Sequence, residues 1–350
     1  MVGYIVTIWI GPKIVLGSGK EGFDSFIRNI AEVIFLSENC ITIVLFTVKN
    51  RTFERLVDVL ERILQRRWPK HLEDEIESFN RRMETVSKIY AIYIFVLLIV
   101  FVSVPILSTA IKLIFLDAAD RGDFTLSNET QFYWLNIRRK LSHYAVFTFF
   151  CFPASCCSAF IITMKGTIFQ VVIYYGSKLF DLLAKRIDVM ADLANDEDER
   201  RKELREIVQL HQLVLEYLDH LESTMSFILM NQIMSCLLVW CLMLFYVSTN
   251  FGADAANLIL LFVILMGEMA IYCINGNILS DKAAEVAHAM YRYPWYREPA
   301  DVQRTIRLII QRAQKPTGVT AAKFYFVNIE RFGATVQATY SYYLMLKNTF

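Results

Sequence analysis

Long apolar runs alternate with long charged stretches along this chain. A helix needs about 20 consecutive apolar residues to cross the hydrocarbon core of a bilayer. Residues 4–16 are apolar but too short, so we interpret segment 1–16 as the remnant of a first transmembrane helix. Complete transmembrane helices are predicted at 25–48, about 89–116, about 141–175, 226–248 and 257–279.

The final apolar run differs from the others because it carries many polar side chains. It covers about 324–346 and includes Asn328, Glu330, Arg331, Thr335 and Gln337. Polar and charged groups are costly against lipid, so they face protein or water when they occur inside a membrane. The pattern predicts a seventh spanning helix with one wet face, which is typical of a conduit.

Three polar stretches, 49–88, 176–225 and 281–323, show apolar residues at helical spacing and predict amphipathic helices outside the bilayer. They hold ten, seven and eight Lys or Arg residues, against six in all the opposite loops and ends. Because basic loops stay on the cytoplasmic side, these helices are expected in the cytoplasm. The fold class predicted is an all-α polytopic membrane protein: a seven-helix bundle, truncated in its first helix, with a cytoplasmic N-terminus and an extracellular C-terminus. Long helices are expected to extend into the cytoplasm.

Composition supports this class and argues against others. Apolar residues make up 55% of the 350 residues, above the 45–50% of ordinary soluble proteins. A net charge of +1 argues against nucleic acid as a partner. The seven cysteines form no CxxC pair, and the histidines show no ligand spacing. We therefore expect no enzyme activity, no cofactor and no metal site.

Two sequons test the orientation. Asn50-Arg51-Thr52 lies in a predicted cytoplasmic stretch and should stay bare, whereas Asn128-Glu129-Thr130 lies in the predicted outer loop 117–140. Glycans are added to Asn-X-Ser/Thr on the outer side. Asn128 is therefore the predicted glycosylation site.

The C-terminal seventy residues carry a resemblance to a known family. The segments are Ala-Met-Tyr-Arg-Tyr-Pro-Trp-Tyr at 289–296, Gln-Arg-Ala-Gln-Lys-Pro at 311–316, Thr-Ala-Ala-Lys-Phe at 320–324 and Tyr-Ser-Tyr-Tyr-Leu-Met-Leu at 340–346. Together with the inverted seven-span layout, they resemble an insect odorant receptor of the ligand-binding, tuning type. The match is close over 280–350 and mainly topological over 21–279.

The resemblance implies a non-selective cation channel that is gated by a small volatile ligand. It also implies assembly as a tetramer with an odorant co-receptor. It implies a ligand-binding bundle at 17–279, a cytoplasmic anchor at 280–323 and a pore-lining helix at 324–350. The expected location is the plasma membrane of an olfactory sensory neuron dendrite, among membrane lipids. The ligand site is expected in the outer half of the bundle, with these candidate contacts: Phe35, Glu38, Val104, Leu107, Phe147, Phe150, Cys151, Leu258, Leu261 and Phe262.

Candidate pore residues follow from helical geometry. At 100° per residue, a polar stripe runs along the last helix, and the resemblance matches Met345 to a gate position. The alternative is that this stripe packs against neighbouring helices through small residues. Its members are Arg331, Thr335, Ala338, Tyr342, Met345 and Thr349.

Aromatic residues of the polar stretches are candidate subunit anchors, or else part of the core of this chain alone. They are Trp68, Trp295 and Tyr296. Two other classes compete with the odorant receptor. A gustatory receptor channel subunit would close its last helix on a TYxxxxxQF pattern, but Leu346-Lys347 stands where Gln-Phe belongs. A G-protein-coupled receptor is opposed by the distribution of basic residues.

Overall fold

The protein is described by a computed structural model that covers residues 2–15, 23–115, 123–128, 130–192, 197–249 and 253–349. Almost all of these residues are helical. The helices are α1 (Val2–Ile5), α2 (Gly11–Val15), α3 (Phe23–Val48), α4 (Asn50–Leu64), α5 (Lys70–Phe115), α6 (Leu141–Asp192), α7 (Glu197–Thr249), α8 (Ala253–Arg292), α9 (Ala300–Ala313) and α10 (Ile329–Thr349).

Five helices of the described ranges are long and apolar enough to cross a membrane, namely α3, α5, α6, α7 and α8. A π-helical turn, Val6–Ile10, joins α1 to α2, so residues 2–15 form one short apolar rod. Helix α10 has 21 residues, which is enough to cross the hydrocarbon core despite its polar side chains. With the rod and α10, the five long helices make the predicted seven-helix bundle.

Four of these helices continue far beyond the bilayer. Helices α5, α6, α7 and α8 contain 46, 52, 53 and 40 residues, and a helix rises about 1.5 Å per residue against a core of about 30 Å. This confirms the expectation of long helices that extend beyond the bilayer. The predicted helical stretches 49–88, 176–225 and 281–323 are mostly continuations of α5–α8, and within the described ranges α4 and α9 are the separate helices. We call the end formed by α4, α9 and the adjoining halves of α5–α8 the anchor end.

The core is formed by extended helix pairs. Helix α6 packs along α8, and α3 packs along α7. The largest fully buried side chains include Trp240, Tyr217 and Tyr272. At the anchor end, Tyr217 donates a hydrogen bond of 2.7 Å to the main-chain oxygen of Val172, which fixes α7 against α6.

The last helix begins later than predicted. Residues 324–328 are not helical, because strands β1 (Thr320–Ala321) and β2 (Tyr325–Phe326) form an antiparallel hairpin. Ala322 and Lys323 turn the chain with positive φ angles of 48° and 63°. The Asn328 side chain then accepts a 2.9 Å hydrogen bond from the main-chain N–H of Arg331. A side-chain oxygen at this position caps a helix N-terminus, so α10 starts here.

One glycine sets the position of this hairpin against α8. A Cβ atom on Gly276 would lie 2.0 Å from the main-chain oxygen of Val327. Real Cβ atoms do not approach an oxygen so closely, so the absence of a side chain allows the two backbones to meet. The hairpin is also held by Glu222 of α7, which accepts a 2.8 Å hydrogen bond from the Thr320 N–H.

Candidate functional site

A pocket lies inside the bundle, away from the anchor end. It is enclosed by the rod 2–15, helices α3, α5, α6 and α8, and the loop that precedes α6. Its volume of about 80 Å³ is several times the space that a single buried water needs. The wall is mainly aliphatic and aromatic: Phe35, Leu36, Ile94, Leu97, Leu98, Phe101, Ala159, Ile162, Leu261 and Ile264. Such a wall suits a small apolar molecule.

Five polar side chains complete the wall. Trp9 comes from the rod, Glu32 from α3, Asn128 from the loop, and Ser155 and Ser158 from α6. Ser155 and Ser158 are three residues apart in an apolar run, so they share one face of α6. The rod, α3, the loop and α6 therefore each place at least one polar side chain beside the pocket.

Glu32 is the only ionisable residue in this wall, and its charge is compensated. Its carboxylate contacts the ammonium of Lys13 and accepts a 2.9 Å hydrogen bond from Nε of Arg28. All three side chains are almost completely buried. The Arg28 guanidinium also lies 5.7 Å from the centre of the Tyr246 ring, a distance at which a cation is attracted to an aromatic face. This cluster closes the pocket on the side of the rod.

The predicted ligand contacts are only partly brought together. Phe35 and Leu261 line the pocket. Phe147 and Cys151 line a smaller adjacent cleft that shares Ser155 with it. The remaining predicted contacts, which do not line the pocket, are Glu38, Val104, Leu107, Phe150, Leu258 and Phe262.

The predicted contacts outside the pocket have identifiable environments. Leu107 is 58% exposed and Phe150 is 41% exposed on the outside of the bundle, where lipid would lie. Leu258 is buried in the core, and the Phe262 ring packs edge to face on Trp240 at 6.2 Å. Hydrophobicity alone does not fix the rotation of each helix, so the sequence could not separate these residues from those that line the pocket.

A buried charge cluster, here called the floor, lies about one helical turn from the pocket along α3, α6 and α8. Lys165 Nζ lies 3.1 Å from Glu268 Oε1 and 3.3 Å from Glu38 Oε2. It also donates a 2.7 Å hydrogen bond to Gln232 Oε1. Tyr272 donates to Glu268 at 2.5 Å, and Thr42 donates to Glu38 at 2.9 Å.

This floor is one helical turn below the pocket. Phe35 and Glu38 are three residues apart on α3, Ile162 and Lys165 are three apart on α6, and Ile264 and Glu268 are four apart on α8. Side chains at such spacings lie on one face of a helix. The three helices run in the same direction. A shift of α3, α6 or α8 along its axis therefore moves its pocket residue and its floor residue together. Sequence reasoning singled out Glu38 alone, since its partners come from distant parts of the chain.

Helix α10 presents one face to α7 and α8. The Phe332 ring lies 6.4 Å from Trp240, and Thr335 is only 5% exposed. The Arg331 guanidinium lies 4.0 Å from the centre of the Tyr325 ring in the hairpin. Arg331 and Thr335 of the predicted stripe therefore contact neighbouring parts of the same chain, which agrees at these two positions with the alternative that the stripe is a packing face.

The last three members of the stripe lie further along α10 and are exposed. Tyr342 is 53% exposed and Met345 is 68% exposed, and Thr349 is exposed as well. On the side of the helix away from Thr335, a second line of side chains is exposed along the whole helix: Glu330, Ala334, Gln337, Ser341, Leu344 and Asn348. We call this line the open face of α10. The predicted stripe is rotated from this line by about 100° around the helix axis, because the burial of Thr335 was not evident in the sequence.

The predicted anchors differ in their surroundings. Trp68 is buried, donates a 3.3 Å hydrogen bond to the main-chain oxygen of Ile63, and lies under the Arg186 guanidinium. It therefore belongs to the core of this chain, which was the alternative left open. Trp295 is partly buried against the core, and Tyr296 is exposed.

Near these anchors, Glu298 ties α7 to the segment before α9. It accepts hydrogen bonds from Nε of Arg200 at 2.9 Å and from the hydroxyl of Tyr293 at 2.5 Å. Burial, together with the neighbouring Glu298 carboxylate, raises the pKa of Tyr293. The phenol therefore stays a hydrogen-bond donor at every physiological pH.

Asn128, the predicted glycosylation site, lies in the pocket wall and is 6% exposed. Its Nδ2 atom, to which a glycan would be attached, is inaccessible. Burial of this atom argues against a glycan in the folded protein, and glycosylation of Asn128 stays a prediction to be tested.

Comparisons with known proteins give a consistent picture. A family model described as 7tm Odorant receptor matches residues 23–340. Odorant receptor 10 of Aedes albopictus is 24% identical over 180 residues, covering 50% of this chain and 48% of that protein. The chain thus spans about half the length of that relative. Odorant receptor 13a of Drosophila melanogaster is 22% identical, covering 99% of this chain and 88% of that protein.

Two further similarities concern assembly and fold. The odorant receptor coreceptor of Harpegnathos saltator is 22% identical over 148 residues, covering 42% of this chain and 31% of that protein. The insect olfactory receptor OR5 from Machilis hrabei, solved in complex with eugenol, superposes with a TM-score of 0.81 at 16% identity, covering 99% of this chain and 88% of that one. This chain shares its seven-helix fold.

Proposed function

Because the chain belongs to the 7tm Odorant receptor family, we propose that it is the ligand-binding subunit of an odorant-gated, non-selective cation channel. The observation that carries the proposal is the pocket inside the bundle, with its aliphatic and aromatic wall. A volatile molecule is small and mostly apolar, and a pocket of this composition is the kind that binds one. The family is one of receptors and not of enzymes, and we assign this chain no reaction.

The gate is proposed to lie on α10. A channel needs a polar path through the membrane, and the open face of α10 offers Gln337, Ser341 and Asn348 beside the apolar Leu344. Apolar constrictions between polar rings gate channels by excluding water. Copies of this helix from several subunits, arranged around one axis, would supply such a path.

Gating is proposed to start at the pocket floor. A ligand shifts a conformational equilibrium only by binding one state better than the other. In this chain the wall residue Ile264 and the floor residue Glu268 lie on α8, and α8 also packs against α10. Ligand contact with α8 therefore has a direct mechanical route to the helix that bears the open face.

The proposed partner is an odorant co-receptor, in a heterotetramer held together at the anchor end. The similarity to an odorant receptor coreceptor supports a common mode of assembly. Tyr296 is exposed at this end and suits an aromatic contact with a neighbouring subunit. The proposed location is the plasma membrane of an olfactory sensory neuron dendrite, with the anchor end in the cytoplasm.

Whole-cell current tests this function. Cells would express the chain with or without an insect odorant co-receptor and receive a panel of volatiles. We expect a cation current that needs both subunits and persists under G-protein blockade. A response that disappears under the blockade, or silence with both subunits at the cell surface, would refute the proposal.

A matched pair of variants tests the pocket. Ile162→Trp fills the pocket from α6 and should abolish odorant current while the chain still reaches the surface. Phe160→Trp places the same indole side chain two residues earlier, on the outside of the bundle, where Phe160 is 56% exposed. Equal effects of the two substitutions would exclude the pocket as the ligand site.

A further inference from the structure

Two hydrogen-bond donors in the pocket wall, Asn128 Nδ2 and the Ser158 hydroxyl, have no partner in the described part of the chain. A third, Trp9 Nε1, has only the thiol of Cys151, a weak acceptor, beside it. Each of the three side chains is more than nine-tenths buried, and each lines the same pocket from a different element: the rod, the loop and α6. Buried polar groups in proteins are nearly always hydrogen-bonded, so unpaired and weakly paired donors at one pocket indicate what the pocket binds.

The chemistry of these groups favours one kind of ligand. An indole N–H can only donate, an amide N–H₂ donates, and a hydroxyl can donate. The wall offers few free acceptors in return. Both oxygens of Glu32 are engaged by Lys13 and Arg28, and the Ser155 hydroxyl donates to the main-chain oxygen of Cys151 at 3.0 Å.

We propose that the pocket selects volatile carbonyl compounds (ketones, aldehydes or esters) over hydrocarbons of the same shape. The carbonyl oxygen would accept hydrogen bonds from Asn128 and from Trp9 or Ser158. The apolar part of the molecule would lie against Leu97, Phe101 and Leu261. This inference rests on the proposed function and adds the chemical class of the ligand.

The energetic reason is the asymmetry of buried hydrogen bonds. A hydrocarbon in this pocket would leave the donors desolvated and unpaired, whereas a carbonyl oxygen would pair with them. A site built to hydrogen-bond a ligand discriminates strongly against an analogue that lacks the polar group. One neutral hydrogen bond corresponds to about 3- to 10-fold in half-effective concentration.

The test compares carbonyl compounds with alkenes in which =CH₂ replaces =O. Three matched pairs sample different body shapes: 2-heptanone with 2-methyl-1-heptene, heptanal with 1-octene, and benzaldehyde with styrene. Each is applied to cells that express the chain with the co-receptor, and currents give the half-effective concentrations. We expect the carbonyl member of every active pair to act at about 3- to 10-fold lower concentration.

Variants assign the preference to the three donors. Asn128→Leu, Trp9→Phe and Ser158→Ala each remove one donor and leave an apolar side chain, and at least one of the first two should bring the carbonyl compound and its alkene to equal potency. Ser155→Ala is the matched comparison, because that hydroxyl is already used within α6 and its loss should keep the preference. Three separate donors keep the test decisive if one variant fails to reach the surface.

The outcomes separate the two proposals. Equal potency within the pairs for the unmodified chain, or a preference untouched by all three donor variants, would overturn the carbonyl inference and leave the receptor function standing. No current from any pair, with both subunits at the surface and a direct co-receptor agonist still opening the channel, would overturn both.

Discussion

Lys165 on α6 and Glu268 on α8 form an ion pair inside the bundle, with 3.1 Å between Nζ and Oε1. Glu38 on α3 contacts the same ammonium group. All three side chains are almost fully buried. One cation therefore holds two carboxylates from different helices near the pocket. Its removal leaves both carboxylates inside the membrane without a counter-charge.

The first prediction concerns this cation. Lys165→Met keeps the length of the side chain and removes its charge. Breaking a buried ion pair costs about 3–5 kcal/mol, because the remaining charge is uncompensated. We expect a large loss of thermal stability in detergent and poor delivery to the cell surface. Thermal unfolding followed by size-exclusion chromatography measures the first effect.

Two comparisons make this prediction specific. The triple variant Lys165→Met, Glu38→Gln, Glu268→Gln removes the carboxylates as well and should recover most of the lost stability. Lys88→Met removes a surface lysine that pairs with Glu84 and should change little, since exposed pairs contribute little. A triple variant less stable than Lys165→Met alone would show that charge is not the cause.

The second prediction separates the two faces of α10. Gln337 lies on the open face, and Thr335 is buried against α7 and α8. Gln337→Lys places a positive charge in the proposed pore and should reduce cation current and shift the reversal potential. Met345→Lys should act in the same direction, because Met345 is exposed near the C-terminal end of α10.

Thr335→Val is the control for these pore variants. It removes only a hydroxyl that donates to the main-chain oxygen of Arg331 at 2.9 Å, so ion selectivity should stay as in the unmodified channel. If Thr335→Val changes selectivity and Gln337→Lys does not, the buried face is the pore face and the assignment is reversed.

The helices could be predicted from the sequence, but their contacts could not. Hydropathy placed the span at 25–48 within about two residues of α3, because a long apolar run has few alternatives. It missed the hairpin, since Phe324 to Phe326 read as the start of a membrane helix. Two-residue strands have no periodic pattern that could have corrected this.

The pocket shows the same limit at the level of residues. Phe35 and Leu261 were predicted because they lie in apolar spans at the right depth. Lys165 and Glu268 are lone charges in such spans, and only the folded structure shows that they meet. Asn128 carries a local glycosylation motif, and its place in the pocket wall depends on how the loop folds onto α5, where Thr125 contacts Ser108 and Thr109.

The third prediction follows from the burial of Asn128. Asn128→Gln should not change the electrophoretic mobility of the chain, and glycosidase treatment of the unmodified chain should leave this site unaffected. The physical reason is that Nδ2 is inaccessible in the folded loop. A mobility shift abolished by Asn128→Gln would show that the loop leaves the bundle and would also remove Asn128 from the pocket wall.

The last prediction uses two glycines of α8 whose surroundings differ. A methyl group on Gly276 would meet the main-chain oxygen of Val327 at 2.0 Å, whereas Gly267 has nothing within 4 Å of the same position. Gly276→Ala must push the hairpin away from α8 and should destabilise the protein by about 1–3 kcal/mol. Gly267→Ala should instead stabilise α8 by up to about 1 kcal/mol, because alanine favours the helix. Thermal unfolding in detergent therefore gives shifts of opposite sign. A stable Gly276→Ala protein would mean that the hairpin and α8 are further apart than this contact requires.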